Sequence, residues 1–378
     1  MSAYLNAVGS AVPDHDIHDA FIDWARARVD SRSARVFDRM AGRSGITHRW
    51  SVLPRTHSGG SPVGKDGFYS AAALPGTAAR MSLYAQYAPP LAIAAIEALR
   101  AKTALDGITH LVVASCTGFV APGIDQIVAR QLGLPNSVER LLIGFMGCYA
   151  AIVALRSARH IVRSEPNARV LVVTVELSTL HLQAVSAIEP LLAMLQFGDG
   201  AAAALVTGDA HGFALDAPFA TTLDDSDHLI RWDITDSGFA MHLSGEVPGR
   251  IATAIADPVF RDVASGGHPP ESVDAWAVHA GGRSILDAVE HALHLPPDAL
   301  AASRAVLSDN GNMSSATVLF VLKEIQNHLL SESGVGNILS CAFGPGLTLE
   351  SMILEIVPTV LPINDQSAPE TIAIPSIA

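Results

Sequence analysis

Between Thr109 and Thr207 the chain alternates short unbroken apolar runs with longer stretches whose apolar residues recur every three or four positions. THLVVA at 109–114 and RVLVVTV at 169–175 are continuous rather than alternating, as in strands covered on both faces. Arg140–Ile143 and Ala201–Thr207 read as two more strands, with Gly123–Leu132 and Cys148–Val162 as the helices between. The same order returns downstream. Ala275–His279 reads as a strand, Ser284–Leu293 as a helix and Arg304–Leu307 as a strand. A helix follows from near Asn312 to near Leu329, then strands at Asn337–Cys341 and Leu347–Ile356. Strand–helix–strand–helix–strand–strand therefore occurs twice, which predicts an α/β fold of two like halves. Cys148 opens the second helix of the first copy and Asn312 that of the second, so facing halves would bring both helix N-termini to one seam.

Outside the repeat, the segment through about Ile46 reads as helical, with His18–Arg43 the periodic part, and Ser51–Gly67 as a Gly/Pro/Ser-rich loop. Pro89–Leu105 predicts an Ala-rich helix opened by Pro89 and Pro90, where proline suits a first turn. These divisions give an N-terminal half at 1–209 and a C-terminal half at 210–378. The latter holds an irregular insertion of strands and loops at about 210–267 and a proline-bearing tail at about 358–378.

A chain of 378 residues is long enough for two core-sized units, and 49% hydrophobic against 16% charged residues excludes a disordered chain. No stretch supplies the roughly 20 apolar residues that a spanning helix needs. The N-terminus has no basic start or long apolar segment, so no secretory signal is expected. Cys116, Cys148 and Cys341 are odd in number and far apart, neither a disulfide framework nor a metal pair, which fits a reducing cytoplasm. A net charge of −13 argues against nucleic acid or an anionic bilayer as partner. A local exception is the cluster Arg26, Arg28, Arg32, Arg35, Arg39, Arg43 and Arg49, suited to an anionic substrate.

Three polar segments carry candidate chemistry. In Gly144-Phe-Met-Gly-Cys148 a cysteine follows two glycines where a strand becomes a helix; a helix N-terminus favours a thiolate, the attacking form. A small buried hydrophobe is the competing reading. In Val278-His279-Ala-Gly-Gly a histidine ends an apolar strand, where its ring can enter a cleft and stabilise a thiolate or polarise a carbonyl; a structural histidine is the alternative. Ser308-Asp-Asn-Gly-Asn312-Met-Ser314-Ser holds more capping residues than one helix cap needs, which leaves an amide for another duty, such as donating to a developing oxyanion.

Together these segments resemble a known family. FMGCYAA, VHAGGRSILDAVE, SDNGNMSSATVLFVL and FGPGLTLES, with SCTGFVAPGIDQ and QFGDGAAAALV, are similar in kind and order to the signature segments of type III polyketide synthases, the chalcone and stilbene synthase family. The resemblance implies a thiolase-like duplicated fold, layered αβαβα with two pseudo-equivalent halves. It implies Cys148 as the nucleophile that takes an acyl group from coenzyme A, with His279 and Asn312 holding the thioester carbonyl while malonyl-CoA loses carbon dioxide. The substrates are then CoA thioesters, with no metal or redox cofactor required. Phe197 matches a gatekeeping aromatic, and Gly344, Pro345 and Gly346 the loop shaping a cyclisation pocket, which Gly281 and Ser314 also line. Arg39 and Arg43 fall in a segment that contacts coenzyme A phosphates; a merely solvated basic face is the competing reading. Cys116 stands where plant members have threonine and Met241 where they have a second gatekeeping phenylalanine. Ala121 replaces a methionine that reaches across the subunit interface of homodimeric relatives. The adaptable Met241 suggests a medium or long fatty acyl starter and an alkylpyrone or alkylresorcinol product. The rival readings are a ketoacyl synthase of single condensation and a catalytically silent partner subunit.

Overall fold

The computed structural model describes residues 2–70, 74–329 and 336–357; the expected tail at 358–378 lies outside them. The N-terminal segment is not helical throughout. Tyr4–Ala11 form a strand, β1, in the middle of the main sheet. Two short strands, β2 (His15–Asp16) and β3 (Trp50–Ser51), pair with each other. Between them the single expected helix is two, α1 (His18–Arg26) and α2 (Ser31–Ala41). Asp30 divides them: its carboxylate accepts from the N–H groups of Arg32 and Ser33 at 2.8 and 2.9 Å, capping a new helix in place of continuing the old one. Helix α3 runs from Thr77 to Arg100, so Pro89 and Pro90 lie inside it rather than at its start. Each proline removes one internal hydrogen bond. Burial of Tyr84, Ala88, Leu91, Ala95 and Leu99 against the sheet outweighs that loss.

The first half continues as β4 (His110–Ser115), α4 (Ile124–Gln131), β5 (Glu139–Gly144), α5 (Ala150–Ser164), β6 (Val170–Leu177), α6 (Ile188–Gln196) and β7 (Asp199–Thr207). Every residue of β4, β6 and β7 is buried, as their continuous apolar runs require. The region expected as an irregular insertion instead opens with β8 (Gly212–Thr222), a full member of the main sheet. It continues with the hairpin β9 (Ile230–Thr235) and β10 (Gly238–Leu243) and with helices α7 (Val247–Ala256) and α8 (Pro258–Ala264). Then follow β11 (Ala275–Val278), α9 (Arg283–Ala292), α10 (Ala301–Asn310), α11 (Thr317–Leu329), β12 (Asn337–Gly344) and β13 (Thr348–Val357).

Among the described residues the main sheet has nine strands in the order β11-β12-β13-β8-β1-β7-β6-β4-β5. Read outward from the short β1–β8 junction, β1-β7-β6-β4 mirrors β8-β13-β12-β11. Each series has two antiparallel pairings and then a parallel one. Only the first half adds a fifth strand, β5. Its expected counterpart at Arg304–Leu307 lies instead in α10, where the Ala-rich sequence favours helix and Arg304 bonds Asp287 and Glu290 of α9. Helices α5 and α11 touch strands of both halves and share one apolar core with them; α1 to α4 cover the far face of the first half, and α7 and α9 that of the second. The result is the thiolase-like αβαβα arrangement of two pseudo-equivalent halves.

Candidate active site

The two central helices begin side by side. Each is entered through a single turn of 3₁₀-helix, Gly147–Tyr149 before α5 and Ser314–Ala316 before α11, and these turns are in contact. Cys148 thus sits in the turn ahead of its helix. Asn312 lies two residues before the other turn and pairs with the extended backbone at Phe197. Asn312 N–H donates to Gln196 O at 2.7 Å and Gly198 N–H donates to Asn312 O at 3.1 Å, fixing its backbone.

The turns are tight and strained. Gly147 has φ +80°, and a Cβ there would stand 2.3 Å from Pro345 Cδ. A Cβ on Gly344 would meet the Tyr149 ring at 2.7 Å and Cys148 N at 3.3 Å. The GPG loop therefore presses on the cysteine turn. Phe145, Ser314 and Leu347 hold positive φ without being glycine, a cost of order 1–3 kcal/mol each that such sites retain.

The Cys148 sulfur lies 4.0 Å from both Oδ1 and Nδ2 of Asn312 and 3.9 Å from Ser314 Oγ. Asn312 Nδ2 donates to Gly281 O at 3.2 Å, and its Oδ1 accepts from Ser314 N–H at 2.8 Å. Gly281 is also next to the His279 ring, its Cβ position being 3.5 Å from Nε2. His279 is buried at the end of β11, its N–H donating to Cys341 O, and neither ring nitrogen has a hydrogen-bond partner among the described residues. Cys148, His279 and Asn312 line one cavity with Phe197, Met241 and Cys116.

Electrostatics in this cavity penalise isolated charge. Burial pushes the Cys148 thiol up to about 12, against hydrogen bonding from Ser314, and pushes His279 down to about 3. Glu176, buried behind the site, is raised to about 7 by the same loss of solvent. Its carboxylate accepts from Cys116 N–H at 3.0 Å, from Thr117 Oγ1 at 2.9 Å and from the Ser315 hydroxyl. Burial holds the Cys116 thiol well above the ordinary range, and its sulfur accepts from Gly147 N–H at 2.9 Å, bracing the turn before Cys148. Cys341 is likewise buried and raised to about 12.

Most expected pocket residues are in place: Gly281, Ser314, Gly344 and Pro345 line the cavity, while Gly346 stands behind, its carbonyl accepting from Ser226. Trp232 is an unforeseen wall residue. Its indole N–H donates to Cys116 O at 3.1 Å, and it pairs across the hairpin with Met241. Ile230 and Trp232 on β9, with Met241 and Leu243 on β10, alternate toward the cavity with the period of two that could have revealed them.

The arginine cluster divides. Arg49 is fully buried, bonding Met194 O, Phe197 O and His18; Arg28 lies over Trp24; Arg26 pairs with Asp23 and Asp38. Helix α2 ends at Ala41, so Arg43 does not continue the helical face of Arg35 and Arg39. Arg43 instead lines a broad outer cleft with Arg283, Met40 and Gln196, and the cleft shares Leu243, Gly281 and Ile285 with the inner cavity. Arg39 is exposed and not part of that lining. Arg283, which sequence reading passed over, donates to Arg43 O at 3.3 Å. Apart from this site, His110, Glu139 and Glu165 at the sheet edge lie close enough to hold a metal ion; none of them lines the cavity.

Residues 2–210 match the profile of "Chalcone and stilbene synthases, N-terminal domain" and residues 215–358 that of the C-terminal domain. The chain is 32% identical over 292 residues to an alpha-pyrone synthesis polyketide synthase-like protein of Mycobacterium tuberculosis, covering 74% of this chain and 73% of that one. It is 36% identical over 301 residues to bisdemethoxycurcumin synthase of Oryza sativa subsp. japonica, covering 74% of each. The crystal structure of PKS-I from the brown alga Ectocarpus siliculosus superposes with a TM-score of 0.84 at 28% identity, covering 94% of this chain and 98% of that one. By duplicated fold, family profile and sequence identity alike, the chain belongs to the chalcone and stilbene synthase family, the type III polyketide synthases that condense acyl-CoA with malonyl-CoA.

Proposed function

We propose that Cys148, His279 and Asn312 are the catalytic residues of an iterative decarboxylating condensation. The observation that carries this reading is the fully buried His279, whose two nitrogens have no partner among the described residues in the cavity it shares with a cysteine and an amide. Unsatisfied buried polar groups cost about 1–3 kcal/mol each, and they are retained where a ligand completes them.

In this mechanism the acyl-CoA extends through the outer cleft, its phosphates beside Arg43 and Arg283 and its thioester beside Cys148. Since burial penalises a lone thiolate and a lone imidazolium, the proton passes from sulfur to His279 as both charges form together. Attack on the thioester carbon expels coenzyme A, whose leaving sulfur takes the proton back from His279, and leaves the acyl group on the Cys148 sulfur. Malonyl-CoA then places its thioester carbonyl between His279 and the Asn312 amide. Loss of carbon dioxide puts an electron pair on that oxygen, and two preorganised donors stabilise it. The enolate carbon attacks the acyl-cysteine carbonyl and the carbon–sulfur bond breaks, returning the thiolate. Repetition with ring closure gives an alkylpyrone or alkylresorcinol; the pyrone is supported by the mycobacterial relative's name and by the apolar walls Ile230, Trp232 and Met241. The test is purified Cys148→Ala with acyl-CoA and malonyl-CoA, with products read by mass spectrometry. Loss of every condensation product is expected, and wild-type turnover rejects the assignment.

The proposal includes a homodimer. Among the described residues strand β5 ends the sheet with one unpaired edge, and its Leu142 is 44% exposed. Light scattering is expected to give twice the 39.5 kDa chain mass.

A further inference from the structure

Strands β4 and β5 run parallel, and their ends away from the cysteine turn begin opposite one another, with His110 in register with Glu139. Glu165, the residue after α5, completes a group of three whose ligand atoms lie within 4.8 Å of one another. The His110 side chain is only 7% exposed, and its Nε2 stands 3.6 Å from Glu139 Oε2 and 3.9 Å from Glu165 Oε1. Both separations are longer than a hydrogen bond. The one ring hydrogen bond among the described residues is at Nδ1, 2.8 Å from Thr109 Oγ1. That hydroxyl accepts from Arg169 N–H at 2.9 Å and donates to Arg169 O at 3.3 Å, so it accepts from His110 Nδ1–H. Nε2 is then the unprotonated nitrogen, and its lone pair faces two carboxylates. Such an arrangement is repulsive without a cation among the three.

No arginine or lysine supplies that cation among the described residues. Arg140 pairs with Asp125, while Arg169 pairs with Asp209 and bonds the carbonyls of Ala104 and Asp106. The C-terminal end of α5 adds partial negative charge at the same point.

We propose that His110 Nε2, Glu139 and Glu165 bind one zinc ion, which clamps the start of the outermost strand, β5, to β4 and to the end of α5. One imidazole with two carboxylates favours zinc over magnesium or calcium, and water fills the fourth position. The Thr109 bond to Nδ1 is the outer contact that fixes a ligating histidine's tautomer. Tetrahedral zinc with bonds of about 2.1 Å holds its donors about 3.4 Å apart. The exposed glutamate side chains reach that spacing by small rotations. The site is structural and independent of the catalytic assignment, since none of its residues lines the cavity.

The experiment titrates chelator-stripped full-length protein with zinc chloride by calorimetry and repeats it with cobalt chloride for absorption spectra. Wild type is expected to bind one tight equivalent, and cobalt to show no thiolate charge-transfer band, which sets the three cysteines aside. Zinc at about 100 times its Kd should raise the melting temperature by about 3 °C. The double variant Glu139→Gln/Glu165→Gln should lose about 100-fold or more in affinity, and the melting shift with it. His110→Gln should do the same, and the exposed glutamate pair remains informative if that buried substitution fails to fold. Zinc affinity within about three-fold of wild type in the double variant overturns the site. Wild-type protein that takes up no zinc also overturns it and leaves His110 as an imidazolium between two glutamates.

Discussion

Replacing Asn312 with alanine removes an amide that makes three contacts. Its Oδ1 accepts from Ser314 N–H at 2.8 Å, its Nδ2 donates to Gly281 O at 3.2 Å, and both atoms lie 4.0 Å from the Cys148 sulfur. The first two are buried bonds, and losing them leaves an orphaned N–H and C=O, a stability cost on the order of 2–3 kcal/mol after water recovers part of it. The third contact concerns the reaction. An amide aimed at a developing oxyanion contributes about 2.7–4 kcal/mol to the barrier, or roughly 100–1000-fold in rate. Because Cys148 and His279 remain, the two half-reactions should separate. Carbon dioxide release from malonyl-CoA is expected to fall by roughly 100–1000-fold, while single-turnover acylation, followed by coenzyme A release, falls by less than about ten-fold. Decarboxylation kept within about ten-fold of wild type, or an equal fall in both steps, would show that the amide only props the turn and would refute the oxyanion argument.

Two further outcomes follow from the same geometry. Arg43→Glu, in the wall of the outer cleft, should raise the KM for acyl-CoA by about ten-fold with kcat nearly unchanged, and Arg39→Glu should raise it less; equal effects in steady-state kinetics would return both to a solvated surface role. Burial raises Glu176 to about 7 from the ordinary 4.5, so its contribution to stability is complete below pH 4.5 and is lost as pH rises toward 7. Glu176→Gln should therefore gain on wild type by about 3 kcal/mol between pH 4.5 and 8. A melting-temperature difference that does not change over that range contradicts the buried-acid assignment.

The three residues that meet in the cavity were legible in sequence because each lies beside a glycine shortly before a helix; Cys148 and His279 follow strands, whereas Asn312 follows α10 and not the strand expected there. Gly147 and Gly344 show why the glycines are needed: a methyl group at either would overlap the neighbouring turn. The repeat in element order was legible for the same reason, since β4, β6 and β7 are buried on both faces and cannot alternate. Where local pattern and tertiary context compete, the sequence misled. Arg304–Leu307 has a strand-like pair of apolar residues, yet its alanines and the ion pairs of Arg304 place it in α10. Pro89 and Pro90 signal a helix start, but α3 continues through them because its whole length packs on the sheet. Arg49 resembled its six basic neighbours and is instead a buried clamp on the carbonyls of Met194 and Phe197. No single-residue signal distinguishes such an arginine from a surface one. Trp232 shares a strand's period of two with Ile230, but which face meets the cavity depends on its pairing with Met241, across a hairpin whose register is set by the turn.

Condensation by this mechanism requires acyl transfer to one sulfur of three, and intact-protein mass spectrometry after incubation with acyl-CoA alone tests that transfer most directly. One acyl adduct per chain is expected, mapped by peptide digestion to Cys148 and lost in Cys148→Ala, with Cys116 and Cys341 unmodified. An adduct on either of those two, or wild-type protein that condenses malonyl-CoA with no acylated Cys148 at any time point, would contradict it.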